Sequence, residues 1–283
     1  MQDYMYDPAY RHLLKAKEIA QKENVIPELQ TEINRSIELF QQKINYCDDQ
    51  TIPPSPALHS LITDTLAYPW SDAYKEGRVS YSVDTAMLSG NSEAQLIKSI
   101  TSASKARMVL EIGLFTGCAS LAMAEALPAE GKVVALELDQ GIADVARSFL
   151  DKSPAGNKIE IITGPAIESL EKLAEKKTKF DVIFMDANKE GYVPYYKMIF
   201  EKDLLASGGT LIVDNVLKNG DTYSGEHSDS KSWAITNFNE LVLQDNRVHK
   251  VMLPLRDGVY IIRRKEDTDA SVPEKKGDLN YIK

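Results

Sequence analysis

Between residues 105 and 265, short apolar runs alternate with amphipathic stretches, and this regularity constrains the fold more than any other feature of the 283-residue chain. Runs at 107–112, 132–138, 158–163, 180–185 and 210–213 are apolar almost throughout, as strands covered on both faces are. The stretches between them, at 120–127, 141–150, 166–176 and 193–205, have helical spacing. Strict alternation requires βαβ crossovers, which build a parallel sheet with helices on both faces. Two further runs, 248–253 and 259–264, are joined by a short loop and predict an antiparallel pair at the sheet edge.

Three regions follow. Residues 1–104 read as helices packing on the core. Pro27 suits a first helical turn, and Ile26, Leu29, Ile33, Ile37, Phe40 and Ile44 then recur at helical spacing. Residues 51–56 form a proline-rich linker, a helix is expected at 56–66, and Asn91 or Ser92 can cap another. Residues 105–265 are the α/β core. Within it, the polar stretch 216–234 reads as a lid or substrate loop. Residues 266–283 are charged and apolar-poor, and predict a loose tail.

A net charge of −9 argues against nucleic-acid or anionic-membrane partners, which need a basic face. No apolar run approaches the ~20 residues of a spanning helix. The first residues, Met1-Gln2-Asp3-Tyr4, lack the pattern of a signal peptide. Cys47 and Cys118 are too few and too distant for a disulfide framework, so a cytoplasmic location is expected. His12, His59, His227 and His249 show no zinc-ligand spacing, and no Gly-x-Ser-x-Gly elbow is present.

The first strand runs into Glu111-Ile112-Gly113-Leu114-Phe115-Thr116-Gly117, and the second ends at Glu137. An acidic residue after the second strand, about 20 residues on, is where a nucleotide-binding fold holds ribose hydroxyls. The dinucleotide pattern is incomplete, because the third glycine is missing. Glu111 also stands where a pyrophosphate would lie, and would repel phosphate but attract a cation. S-adenosylmethionine has an ammonium, a sulfonium and a ribose but no phosphate, and fits. An NAD-dependent oxidoreductase is the alternative. The bland reading is a plain strand-to-helix turn.

Asp186-Ala187-Asn188-Lys189 and Asp214-Asn215 each follow a buried strand. In an open α/β sheet, ligands bind outside the carboxyl ends of the strands, so the two stretches should share a crevice. Asp186, Asp214 and Asn215 offer oxygen ligands only, which suits a hard cation such as Mg²⁺, Mn²⁺ or Ca²⁺. Such a cation leaves room for a vicinal diol and acidifies its hydroxyl. Lys189 beside it is expected to have a lowered pKa and to act as base. Against this, Asp and Asn after strands are common turn and cap residues.

Together these segments resemble the cation-dependent O-methyltransferases, the group of catechol and caffeoyl-CoA O-methyltransferases, from about Met87 to Arg264. Met87-Leu88-Ser89 and Glu93-Ala94-Gln95 are similar to the segment covering the cofactor, and Gly164-Pro165-Ala166 to the adenine-side turn. Arg256-Asp257-Gly258 resembles the closing hairpin, with Asp257 as a support residue. The resemblance implies a Rossmann-like class I methyltransferase fold: a seven-stranded, mostly parallel sheet with an antiparallel C-terminal hairpin. It implies that Met87, Ser89, Glu111, Gly113, Phe115, Gly117, Ser120, Glu137, Ala166 and Asp186 hold S-adenosylmethionine. It also implies Asp186, Asp214 and Asn215 as metal ligands, Lys189 and Asp186 as catalytic residues, and a homodimer. Ala94, Ala119 and Asn188 depart from the usual residues. The long N-terminal region is more similar to cyanobacterial enzymes that methylate the enediol precursor of mycosporines. A non-enzymatic, partner-binding member of the group is the other alternative.

Overall fold

A computed structural model describes residues 3–269 except Asn24 and Ser228. The strands are β1 (Met108–Ile112), β2 (Lys132–Glu137), β3 (Ile159–Thr163), β4 (Phe180–Met185), β5 (Leu205–Val213), β6 (Val248–Leu253) and β7 (Val259–Arg264). They form one seven-stranded sheet in the order β3-β2-β1-β4-β5-β7-β6, parallel except that β7 runs against both β5 and β6. Side-chain alternation divides the apolar residues between two cores. Val109, Val133, Ala135 and Phe184 face one, and Leu110, Ile112, Val134 and Ile183 the other.

Among the described residues five α-helices precede the first strand: α1 (Pro8–Lys22), α2 (Pro27–Gln50), α3 (Pro56–Ala67), α4 (Trp70–Lys75) and α5 (Gly90–Ala103). Between the strands come α6 (Cys118–Ala126), α7 (Gln140–Leu150), α8 (Ala166–Glu175) and α9 (Tyr192–Glu201). The short α10 (Asp221–Ser224) and α11 (Ser230–Gln244) complete the set. Leu58 and Leu61 of α3, Ile97 of α5, Leu121 of α6 and Ile142 of α7 cover the first core. Leu170 of α8, Tyr192 and Tyr196 of α9 and Phe238 of α11 cover the second. Among the described residues no helix is long and apolar enough to cross a membrane.

Several expectations need correction. The fourth core helix ends at Glu201 rather than Leu205, because Asp203 turns left-handed (φ 55°) and Leu205 already pairs with Phe180. A register shift between Phe180 and Val182 accommodates Gly208 and Gly209, which hid the first half of β5 from its apolar pattern. Helix α5 begins at Gly90, not at an Asn91 or Ser92 cap; Asn91 instead donates to Ile52 O (2.9 Å) and Ser92 to the Asp48 carboxylate. The stretch 216–234 is only partly loop, since Asp229 caps α11 by accepting from Ser232 N (2.8 Å). Of the stripe on α2, Ile37 is buried, but Ile26 and Leu29 are exposed. The expected tail lies, from residue 270 onward, outside the described residues.

Candidate active site

Chain order reverses between β1 and β4: β1 leads outward to β2, while β4 lies on its other side. A crevice at the carboxyl ends of such neighbours is the usual ligand site. Here it is a cavity of about 860 Å³. Gly113, at φ 100°, lets the loops after β1 and β4 touch, since a Cβ would stand 2.1 Å from Asp186 O.

Met87, Ser89, Glu111, Gly113, Phe115, Glu137 and Ala166 line one half of the cavity. Gly117 and Ser120 are not on the wall. Gly117 (φ 90°) starts α6 behind it, and the buried Ser120 hydroxyl donates to the Glu111 carboxylate. Ser120 therefore orients Glu111 rather than facing the cavity. Phe115 N donates to Glu137 Oε2 (2.9 Å) and Asp139 N to Glu137 Oε1 (3.0 Å), which fixes the Glu137 carboxylate at the cavity edge. Burial raises the pKa of Glu111 above the carboxylate range against the Ser120 bond, and raises Glu137 against its backbone donors. Two buried carboxylates with raised pKa values favour a ligand that brings positive charge.

The other half holds Asp186, Lys189, Asp214 and Asn215, which converge as expected. Asp186 follows β4, and Lys189 opens the short turn before α9. Lys189 Nζ donates to Asp186 Oδ1 (2.8 Å), Asn215 Oδ1 (2.5 Å) and Tyr192 OH (2.8 Å). The Tyr192 hydroxyl in turn donates to Asp214 O (3.1 Å). Asn215 is left-handed at φ 58°, a strained backbone of the kind found at functional sites.

The expected lowering of the Lys189 pKa is reversed among the protein's own groups. Burial lowers it, but Asp186, Tyr192 and Asp214 outweigh burial and hold it as an ammonium. Asp214 is itself pushed up by burial and by Asp186.

Two partners of the site, Glu93 and Tyr192, were not given their roles here by the sequence, where Glu93 reads only as part of the segment covering the cofactor. Glu93 on α5 is 1% exposed and pairs with Arg256 Nη1 at 3.0 Å. Its other oxygen, Oε1, is buried without a hydrogen-bond partner. Burial and then Asp214 raise the Glu93 pKa. Tyr192 opens α9 directly after the turn Lys189–Gly191, which brings its hydroxyl to Lys189 Nζ.

Three carboxylates, Glu93, Asp186 and Asp214, thus crowd against two cations, Lys189 and Arg256. The excess negative charge, the orphaned Glu93 oxygen and an all-oxygen donor set fit a hard divalent cation. Among the described residues no three His, Cys, Asp or Glu side chains form a metal cage, so Asn215 and solvent would complete the coordination.

Comparison with known proteins gives the family and the fold. A family model described as O-methyltransferase matches residues 75–265. Tricin synthase 2 of Oryza sativa subsp. japonica is 32% identical over 227 residues, which span 76% of this chain and 77% of that protein. Caffeoyl-CoA O-methyltransferase 5 of Nicotiana tabacum is 30% identical over 222 residues, 74% of this chain and 92% of that one. Among solved structures, an SAH-bound methyltransferase from Podospora anserina superposes with a TM-score of 0.69 at 26% identity, covering 81% of this chain and 96% of that chain. An O-methyltransferase from Bacillus cereus in complex with SAH gives 0.65 at 26% identity, covering 78% and 96%.

Proposed function

The chain belongs to the O-methyltransferase family, and from that premise we propose that it moves a methyl group from S-adenosylmethionine to one hydroxyl of a small vicinal diol with the help of a divalent cation. The observation that carries this reading is one cavity with two chemical halves. Buried Glu111 and Glu137 suit the cationic cofactor and its ribose, and Asp186, Asp214, Asn215 and Lys189 suit a chelating acceptor. The same two carboxylates disfavour a dinucleotide, whose phosphates they would repel. The complete set of site groups disfavours a partner-binding protein without activity.

Asp186, Asp214 and Asn215 would hold the cation, whose contribution when bound is to lower the pKa of a diol hydroxyl. Lys189 Nζ would take the hydroxyl proton only after releasing its own ammonium proton to solvent, which the cation would favour by drawing off the charge of Asp186 and Asp214 that holds that proton in place. Glu111, Glu137 and the backbone at Gly113 orient the methyl donor, so that the diol oxygen attacks in line. Positioning of this kind supplies much of the rate in a transfer that needs no covalent intermediate with the enzyme. The acceptor is a catechol or an enediol. A homodimer is the accompanying proposal, checked by the solution mass.

The test is calorimetric binding of S-adenosylmethionine, followed by methyl transfer to catechols and to an enediol cyclohexenone, with Mg²⁺ and with EDTA. Transfer that EDTA abolishes is expected. Transfer that EDTA leaves intact would remove the cation, and absence of cofactor binding would remove the reading.

A further inference from the structure

The acceptor half of the cavity has a wall from the far end of the chain. Tyr6, in the short helical turn Asp3–Tyr6, lines the cavity together with Arg256, Asp257 and Asn219. Arg256 lies over the Tyr6 ring, 5.6 Å from its centre, and Arg256 Nη2 donates to the Tyr6 hydroxyl at 3.4 Å. The Tyr6 hydroxyl donates to Ala86 O, also at 3.4 Å, on the segment that covers the cofactor half. Tyr6 therefore spans the gap between the cofactor cover and the closing hairpin.

The segment is held by more than Tyr6. Arg11 on α1 donates to Met5 O (2.9 Å) and Tyr6 O (3.2 Å), and its other nitrogen to Asn219 O (2.9 Å). Pro8 fits against Gly220, where a Cβ would come within 2.4 Å of the proline ring. Asn219 is left-handed (φ 54°), and its N–H is held by Asp257 Oδ1 at 2.5 Å. The contacts run from Asp257 to Asn219, Arg11, Tyr6 and Arg256, which the chain joins back to Asp257, and Arg256 extends them to Glu93.

We propose that the segment from Asp3 to Arg11 is the acceptor-selecting wall of the enzyme, with Tyr6 the specificity-determining residue and Arg11 the residue that positions it. The inference rests on the diol reading above. A wall tied at both ends makes the acceptor space short. Single-ring diols fit behind Tyr6, whereas diols carrying a long conjugated or thioester chain meet the ring. Tyr6 touches the cofactor cover only through Ala86 O, and Glu111, Gly113 and Glu137 lie on other elements, so the wall acts chiefly on the acceptor.

The test compares wild type with Tyr6→Ala, Tyr6→Phe and Arg11→Met. It measures binding of catechol and of caffeoyl-CoA by calorimetry in the presence of Mg²⁺ and S-adenosylhomocysteine, then kcat and KM for both acceptors. Tyr6→Ala and Arg11→Met are each expected to weaken catechol binding about tenfold and to raise its KM more than they lower kcat. The ratio of kcat/KM for caffeoyl-CoA over catechol should rise at least tenfold. Tyr6→Phe keeps the ring under Arg256 but loses both hydroxyl contacts, so its ratio should lie between wild type and Tyr6→Ala. Affinity for S-adenosylhomocysteine and the melting temperature of all three variants should stay near wild type, which separates lost selection from lost folding. Wild type that binds diols, with an unchanged acceptor ratio in Tyr6→Ala and Arg11→Met, overturns the wall. Wild type that binds no diol overturns the diol reading and the wall with it.

Discussion

At the residue scale, two side chains make opposite demands on their surroundings. Lys189 is held as an ammonium by three oxygens, so its removal costs chemistry rather than cofactor contact. Lys189→Ala is expected to lower methyl transfer by about 10²–10⁴-fold, the usual worth of a positioned acid–base group. S-adenosylmethionine affinity should change less than threefold, and retained transfer would remove the base assignment. Asp257 is buried, and its pKa is pushed up to about 6 by that burial, against the Asn219 N–H and the charges of Lys218, Lys189 and Arg256. Its folded value lies above its unfolded one, so the stabilising contribution of the protonated form is complete below about pH 4 and is lost as pH rises through about 6. Asp257→Asn keeps an acceptor for Asn219 and does not ionise. The variant should therefore gain about 2 kcal/mol of stability relative to wild type between pH 4.5 and 7.5, the part of a shift of roughly two pH units that falls in this window. Urea midpoints at the two pH values measure this, and a difference that falls with pH would contradict it.

At the element scale, the joint between β1 and β4 is the least forgiving part of the scaffold. Gly113 has a positive φ and a backbone carbonyl at the position of its absent Cβ. Gly113→Ala must move the loop carrying Asp186 or strain the turn itself. A destabilisation of about 2–3 kcal/mol is expected, from backbone strain plus overpacking. The loss of transfer should exceed what the unfolded fraction explains. An alanine variant with wild-type midpoint and activity would show that the two loops are free to part. The left-handed run Lys218, Asn219 and Gly220 is a second such joint, held by Asp257.

At the scale of the whole molecule, a ligand that binds only the folded chain stabilises all of it. S-adenosylhomocysteine at about 100 times its Kd should add ~2.7 kcal/mol. For a chain of this size each kcal/mol is worth roughly 2–4 °C, so the melting temperature should rise by about 5–10 °C. NADH at the same concentration should give no shift, and the reverse pattern would revive the oxidoreductase. The sheet was legible in the sequence because strands covered on both faces are apolar almost throughout, as Phe180 to Met185 are apart from Asp181. Asp186, Lys189, Asp214 and Asn215 were legible because each follows such a strand. Tyr6 was not, and Glu93 was read only as part of the segment covering the cofactor, because their meeting with Arg256 spans most of the chain and leaves no local spacing to read. The protonation of Lys189 was illegible for a related reason. Its charge follows from which oxygens surround it in space, and neighbours in sequence give no measure of that.

The contact of the Tyr6 hydroxyl with Ala86 O has a kinetic meaning. On the proposal made above, the wall over the acceptor rests on the segment over the cofactor, and the two are expected to open together, with the acceptor outermost. Cofactor should enter first and leave last, with the methylated product departing between. In steady-state product inhibition, S-adenosylhomocysteine should then compete with S-adenosylmethionine but not with the diol, whereas the methylated diol should compete with neither. A random order of entry would mean that segment and wall open independently.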